Sequence, residues 1–193
     1  MDPFTFHVVR SDTELCTARS LRQTVYRQRL GVSLSESLDE TERDRLGYVF
    51  LLSRGGEPVG TARIVPTSCA VVELRRFGWL PVDAGEDLHC GEVGRIATLK
   101  GVRSNGMPTS LVLIAWSARW LLRYSPLCRY VAYNRLALLP LWRRLGALDT
   151  GVRFVIAERG GAEYAVIRGD FHEVVSKTKM MDNSSLELVL SKA

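Results

Sequence analysis

Glu92 and Arg95 stand three residues apart in Gly91-Glu-Val-Gly94-Arg95, a strand-like stretch interrupted by two glycines. A carboxylate carried between glycines in an interior strand is a candidate for taking a proton from a nucleophile. Glycine inside a strand marks a bulge or the close approach of a ligand. Arg95, and Arg63 in Gly60-Thr-Ala-Arg63-Ile-Val-Pro66, each offer a planar fork suited to a carboxylate. The same residues admit a structural reading. Glu92 then pairs with Arg95, and the arginines tie down the acidic stretch that holds Glu36, Asp39, Glu40, Glu42 and Asp44.

These groups need a scaffold, and local signals outline one. Residues 4–10 read as a strand. Ser11-Asp-Thr-Glu14 is a capping box that opens a helix running to Gly31, with Leu15, Ala18, Leu21 and Val25 as its apolar stripe. Residues 33–47 read as a long loop holding at most a short helical turn. Strands at 48–53 and 58–65 flank the turn Arg54-Gly-Gly-Glu57. A further strand segment is expected at 71–74 and a long strand at 88–99. A glycine-containing turn at 101–108 leads into a core helix capped by Thr109 or Ser110. A strand at 129–133 precedes a helix at 136–145, which Pro140 kinks or starts and Gly146 ends. Strands at 151–159 and 163–169 meet at Gly160-Gly161, and a helix at 171–181 closes the chain. The order predicts one domain over residues 1–193, with the tail from about 182 unassigned. Its class is α/β (α+β), with a central mixed, largely antiparallel sheet flanked by helices.

The 193 residues suffice for a core without staples, and 46% hydrophobic with 24% charged residues is a globular balance. Cys16, Cys69, Cys90 and Cys128 form no CxxC pair and no His cluster, so free thiols are expected and a metal site is not. No signal peptide or membrane span is read, which makes the chain a cytoplasmic protein in expectation. The net charge of +5 rests mostly on arginine. No basic run with interleaved aromatics points to nucleic acid.

Two segments carry a family resemblance. Tyr133-Asn134-Arg-Leu-Ala137, continuing through Trp142 to Leu145-Gly146-Ala147, resembles the strand-to-helix motif of the GNAT superfamily of N-acetyltransferases. Arg103-Ser-Asn-Gly106-Met-Pro108-Thr looks like the pyrophosphate loop of that superfamily, where a helix N-terminus meets phosphate. Arg63 with Pro66-Thr67, Glu92 with Arg95, and Arg22 with Tyr26 are similar to motifs of the acyl-homoserine-lactone synthases. Asp39 and Asp44 fall where that family has an acidic loop. Leu30-Gly31-Val32 lacks the Trp, and the acidic stretch lacks the aromatic-Asp pair, that go with S-adenosylmethionine. From about Phe6 to Arg168 the chain resembles the long-chain N-acyl amino acid synthases, specifically the N-acyltyrosine synthases.

That resemblance implies a GNAT-like acyltransferase fold and an N-acyltransferase joining a long-chain fatty acyl group to the amino group of an amino acid, tyrosine by likeness. The donor is an acyl-phosphopantetheine thioester carried by an acyl carrier protein, and no cofactor is bound permanently. Glu92 and Arg95 are implied as catalytic. Arg63, Arg22, Tyr26, Asp39 and the backbone of Ile96, Ala97 and Thr98 are implied to bind substrate. Arg103, Gly106, Asn134 and Trp142 are implied to hold the pantetheine and its phosphate. An acyl-homoserine-lactone synthase or an acetyl-coenzyme A N-acetyltransferase are the alternatives. Pro108 and Trp142 weigh against the second: one removes an amide donor, and the other stands where a tyrosine would protonate the leaving thiol.

Overall fold

The structure, a computed structural model, describes residues 4–33, 37–104, 107–178 and 186–188. Strand β1 (Phe4–Val8) leads to helix α1 (Asp12–Leu30) and helix α2 (Leu38–Leu46). The hairpin β2 (Tyr48–Arg54) and β3 (Glu57–Pro66) is followed by the short helices α3 (Glu73–Arg76) and α4 (Val82–Glu86). Then come β4 (Cys90–Thr98), the small pair β5 (Arg103–Ser104) and β6 (Met107–Pro108), and helix α5 (Thr109–Tyr124). Strand β7 (Arg129–Arg135), helix α6 (Leu139–Arg144), strands β8 (Leu148–Ile156) and β9 (Ala162–Asp170), helix α7 (Phe171–Thr178) and strand β10 (Leu186–Leu188) complete the chain.

One sheet runs in the order β10-β1-β2-β3-β4-β7-β9-β8. Its neighbours are antiparallel except β1 with β10 and β4 with β7. Strand alternation divides its faces. Phe50 and Leu52 of β2 enter the core beneath α5 and α7 with Phe6, Leu113, Leu121 and Val174. Val49 and Leu51 face the other way and meet Leu15 and Ala18 of α1. Farther along that second face Val72, Leu74, Val131, Phe154, Tyr164 and Val166 form a separate core. Among the described residues no helix is long and apolar enough to cross a membrane.

Local signals held where the partner was local. Ser11 caps α1 with the full capping box, and Gly31 ends it at φ 64°. Elsewhere tertiary contacts decided. Residues 38–46 are helix rather than loop. Ser37 accepts from the Glu40 amide as the cap, and the buried residues are Arg43 and Asp44, so no apolar stripe announces the helix. Residues 71–74 are not a strand, because the amides of Glu73 and Leu74 donate to the carboxylate of Glu92 at 3.2 and 2.6 Å. Pro108 takes the cap position of α5 without a side-chain bond, while the Thr109 hydroxyl donates to the Val102 carbonyl at 2.6 Å. Residues 136–145 divide into a 3-10 turn (Leu136–Leu138) and α6, with Pro140 in its first turn.

The two glycines of β4 differ. A Cβ on Gly91 would lie 2.6 Å from Ile64 Cγ2 and 3.0 Å from Leu127 Cδ1, whereas one on Gly94 meets nothing within 4 Å. Gly91→Ala is therefore expected to cost about 1–3 kcal/mol through overpacking, roughly 2–4 °C of Tm per kcal/mol. Gly94→Ala should leave Tm unchanged or raised. Thermal unfolding of both variants checks this, and equal losses would refute the packing account.

Candidate active site

Strand β4 pairs with β7 only from Cys90↔Arg129 to Val93↔Ala132. Beyond that, β4 stays with β3 as far as Gly60↔Thr98, and β7 stays with β9 as far as Arg135↔Tyr164. The sheet splits there, and a cavity of about 260 Å³ occupies the opening. Ile96 and Thr98 line it from β4, Tyr26 and Arg29 from α1, Asn134 from β7 and Trp142 from α6. The Leu99 amide donates to Val59 O at 2.9 Å. Amides alternate along a strand, so those of Thr98 and Ile96 face the open side. The first turn of α5, without a side-chain cap, stands beside the opening through Ser110. A side groove of about 180 Å³ shares Arg29, Thr98 and Ser110 and adds Arg103, Pro108 and Thr109. Amides of a helix N-terminus beside arginines suit an anion such as phosphate.

Behind one wall lies a buried cluster of charge. Asp44 accepts from Arg19 Nε at 2.9 Å, Arg22 Nη1 at 2.6 Å and Arg63 Nη1 at 3.1 Å. Glu40 accepts from Arg43 at 2.8 Å, Arg63 at 2.9 Å and Arg95 Nη2 at 2.5 Å. Glu73 accepts from Arg95 Nη2 at 3.2 Å, Arg159 Nη2 at 2.8 Å and the Tyr133 hydroxyl at 2.6 Å. Arg95 takes a left-handed conformation, φ 53°, next to the register shift between β3 and β4. That bulge aims its side chain into the cluster.

Burial pushes the carboxyls up, and the arginines reverse it. Glu73 is held at about 2 by Arg95 and Arg159 against burial. Glu40 lies well below its ordinary range because Arg95 and Arg63 outweigh burial. Asp44 is lowered by Arg22 and Arg63 in the same way. Glu92 goes the other way. Burial, then the neighbouring Glu73 charge, raises it to about 7 against its two backbone bonds.

Of the residues singled out from sequence, Tyr26, Arg95, Ile96, Thr98, Asn134 and Trp142 meet at the cavity. Arg22 and Arg63 sit one layer behind, tied to Asp44. Ala97 turns away and packs against Leu21 and Val25 of α1. Arg103 is exposed at the side groove. Gly106 lies outside the described residues. Two placements depart from expectation. Glu92 is absent from the cavity lining, since its strand alternation turns it toward α3, where both oxygens are taken by amides. Asp39 is a surface residue paired with Arg76; Glu40 and Asp44 do the work the acidic stretch was expected to do.

The structural reading of the acidic stretch included Glu40; sequence reasoning missed Glu73, Tyr133, Arg135, Arg159 and Arg29. Tyr133 and Arg135 flank Asn134, and a splayed strand end exposing successive residues is the signal that could have found them. Arg159 sits in a hairpin turn, where nothing local distinguishes it.

No known protein-family profile matches the chain, and no curated protein sequence does. Solved structures do. FeeM, an N-acyl amino acid synthase from uncultured soil microbes, aligns with a TM-score of 0.67 at 17% identity over 93% of this chain and 97% of that one. LasI, an acyl-homoserine-lactone synthase, aligns at 0.66 and 18% over 89% and 91%. BjaI, a coenzyme A-dependent acyl-homoserine lactone synthase, aligns at 0.70 and 15% over 100% and 96%. The chain shares its fold with these structures.

Two stability predictions follow from the cluster. Asp44→Ala strands Arg22 and leaves Arg63 with Glu40 alone; the two arginine side chains are 3% and 2% exposed. It is expected to cost about 3–5 kcal/mol, against under about 1 kcal/mol for Asp39→Ala. Denaturant unfolding compares them, and similar losses would remove the cluster from its structural role. Glu92, ordinarily at 4.5, keeps its proton to about 7 in the folded chain. The folded state thus binds more protons between these values, and stability falls as pH rises through them. Relative to wild type, Glu92→Gln should gain up to roughly 3 kcal/mol between pH 4.5 and 7.5. A pH-independent difference would contradict the raised proton affinity.

Proposed function

We propose that the chain is an N-acyltransferase that moves a fatty acyl group from a phosphopantetheine thioester to the amino group of an amino acid. The observation that carries this reading is the lining of the cavity at the split. Arg29, Arg95, Arg135 and Arg159 face it, and among the described residues no acidic side chain does. Such a cavity favours anionic ligands. An amino acid brings a carboxylate and the pantetheine arm a phosphate, whereas the sulfonium of S-adenosylmethionine is a cation. An N-acyl amino acid synthase among the similar folds supports the reading.

The chemistry follows the geometry. The thioester carbonyl docks at the amides of Ile96 and Thr98, which stabilise the oxyanion as the amine attacks. The new carbon–nitrogen bond forms, the carbon–sulfur bond breaks, and the thiol leaves with the arm. The proton lost by the amine passes through solvent to the departing sulfur, which leaves as the thiol. Glu92 serves as a positioning residue, fixing Glu73 and through it Arg95, Arg159 and Tyr133. Asn134 Nδ2, buried without a hydrogen-bond partner, is a donor for the pantetheine amides. Arg103 and the start of α5 receive the phosphate.

The acyl group enters where Ile96, Ile114 and Trp142 join the cavity to an apolar slot that also touches Ala62, Val93 and Tyr130. The slot holds about 10 Å³ of free space, so a long chain enters by displacing side chains. Each buried methylene contributes about 0.8 kcal/mol toward that displacement. Tyr26, Tyr133 and Tyr164 at the cavity suit an aromatic acceptor such as tyrosine.

An acidic acyl carrier protein suits the basic outer surface. Arg143 and Arg144 are exposed on α6, and Arg119 and Arg123 belong to α5. Such charges act on association rate and weaken with salt. The test is product formation by mass spectrometry from tyrosine with an acyl carrier protein thioester or with acyl-coenzyme A. N-acyltyrosine should form, faster from the carrier protein, with the gap narrowing as salt rises. The double variant Arg143→Glu, Arg144→Glu should slow carrier-dependent turnover more than coenzyme A-dependent turnover. A lactone and methylthioadenosine from S-adenosylmethionine, with no acyl amino acid, would overturn the proposal.

A further inference from the structure

The four cavity arginines are not equivalent. Arg95 donates to Glu40 and Glu73, and Arg159 to Glu73 and Tyr133, so both are committed. Arg29 is exposed and also lines the groove at the start of α5, where the donor phosphate belongs. Arg135 differs from all three. Its Nε is buried without a hydrogen-bond partner. Among the described residues the one hydrogen bond of its side chain runs from Nη2 to the Arg159 carbonyl at a long 3.4 Å, and no carboxylate pairs with it. A buried charged donor left without an acceptor is costly, and a ligand that supplies one recovers the cost.

Its side of the sheet matters as much. Tyr130 and Ala132 of β7 belong to the core under α5, while Val131 and Tyr133 face the other core. Alternation puts Asn134 on the α5 side and Arg135 on the side of Tyr133 and Tyr164. The two consecutive residues thus line one opening from opposite faces, each with an unpartnered side-chain N–H.

We infer that Arg135 binds the carboxylate of the acceptor amino acid, Nε and one Nη donating to its two oxygens. This rests on the acyl transfer proposed above and names the residue that selects its acceptor. The amino acid stands on the Tyr133 and Tyr164 side, the thioester arrives from the α5 side, and amine and carbonyl meet in the split between β4 and β7. Amines without a carboxylate, and amino acid amides, leave Arg135 unpaired and are discriminated against.

The test reads binding apart from turnover. N-dodecanoyltyrosine and its carboxamide, neither of which carries phosphate, are titrated calorimetrically into wild type, Arg135→Gln, Arg135→Lys and Arg29→Gln. Wild type should prefer the acid at least tenfold. Arg135→Gln should bind both within about twofold, Arg135→Lys should recover part of the preference, and Arg29→Gln should keep it. Coenzyme A is titrated in parallel and should be weakened by Arg29→Gln and not by Arg135→Gln. Melting curves verify that each variant is folded, and the lysine variant carries the test if the glutamine variant is not. An acid preference retained in Arg135→Gln, no preference in wild type, no binding of either ligand, or loss of coenzyme A binding in Arg135→Gln would each overturn the inference. Loss of acid preference in Arg135→Gln together with no acyl transfer by wild type would keep the carboxylate site and reject the reaction.

Discussion

Three carboxylates, Glu40, Asp44 and Glu73, are buried against the sheet with the guanidinium groups of Arg22, Arg43, Arg63, Arg95 and Arg159. Taking such charges out of water is expensive, and the expense is offset only as far as partners are found; each member has at least one, while Arg22 Nε and Nη2 have none. That condition organises the surrounding chain. It docks α2 on β3, since Glu40 and Asp44 belong to α2 and Arg63 to β3. It holds Arg95 in a backbone conformation that costs roughly 1–3 kcal/mol in isolation. It fixes Tyr133 and Arg159 at the cavity through Glu73. Glu92 belongs to the same construction one step removed, because the amide of Glu73 donates to it.

What could be read in advance follows from this arrangement. The box of Ser11 and Glu14, the stop at Gly31 and the hairpin turn after Arg54 each act over a few residues, and the sequence displays them directly. Helix α2 was hidden because the face it buries is Arg43 and Asp44, residues that ordinarily mark a solvated surface. Helix α3 was hidden because its amides answer to Glu92, 19 and 18 residues away. At the cavity, motif resemblance located Tyr26, Arg95, Asn134 and Trp142. It gave no access to Glu40, which meets Arg95 across 55 positions, or to Arg159, which meets Glu73 across 86. It also gave no placement for Glu92, whose residue type suits proton transfer while its strand alternation points it at the backbone of α3.

The split between β4 and β7 converts a parallel pair of strands into a passage through the sheet. On one side the passage opens toward α5 and apolar residues such as Ile114 and Trp142. On the other it opens toward Tyr133, Arg135 and Arg159. The proposed product, with a hydrocarbon tail and a charged head, matches this polarity end for end. The catalytic demand is then small. In the proposed acyl transfer, amides already oriented by the strand need no rearrangement when charge develops on the thioester oxygen.

Helix α2 holds the cluster closed from the outside, yet it contributes almost no apolar surface of its own. Leu38 is 88% and Leu46 47% exposed, and only Arg43 and Asp44 are buried. Its attachment is therefore governed by the hydration of ions rather than by the hydration of hydrocarbon. Those two respond differently to heat: ion hydration becomes less favourable as temperature rises, which lowers the desolvation penalty of the docked pairs, whereas the gain from apolar burial levels off. Within the hierarchy of local stabilities of one chain, α2 thus carries a thermal signature distinct from that of the sheet it covers, gripping its arginines more firmly as the surroundings warm.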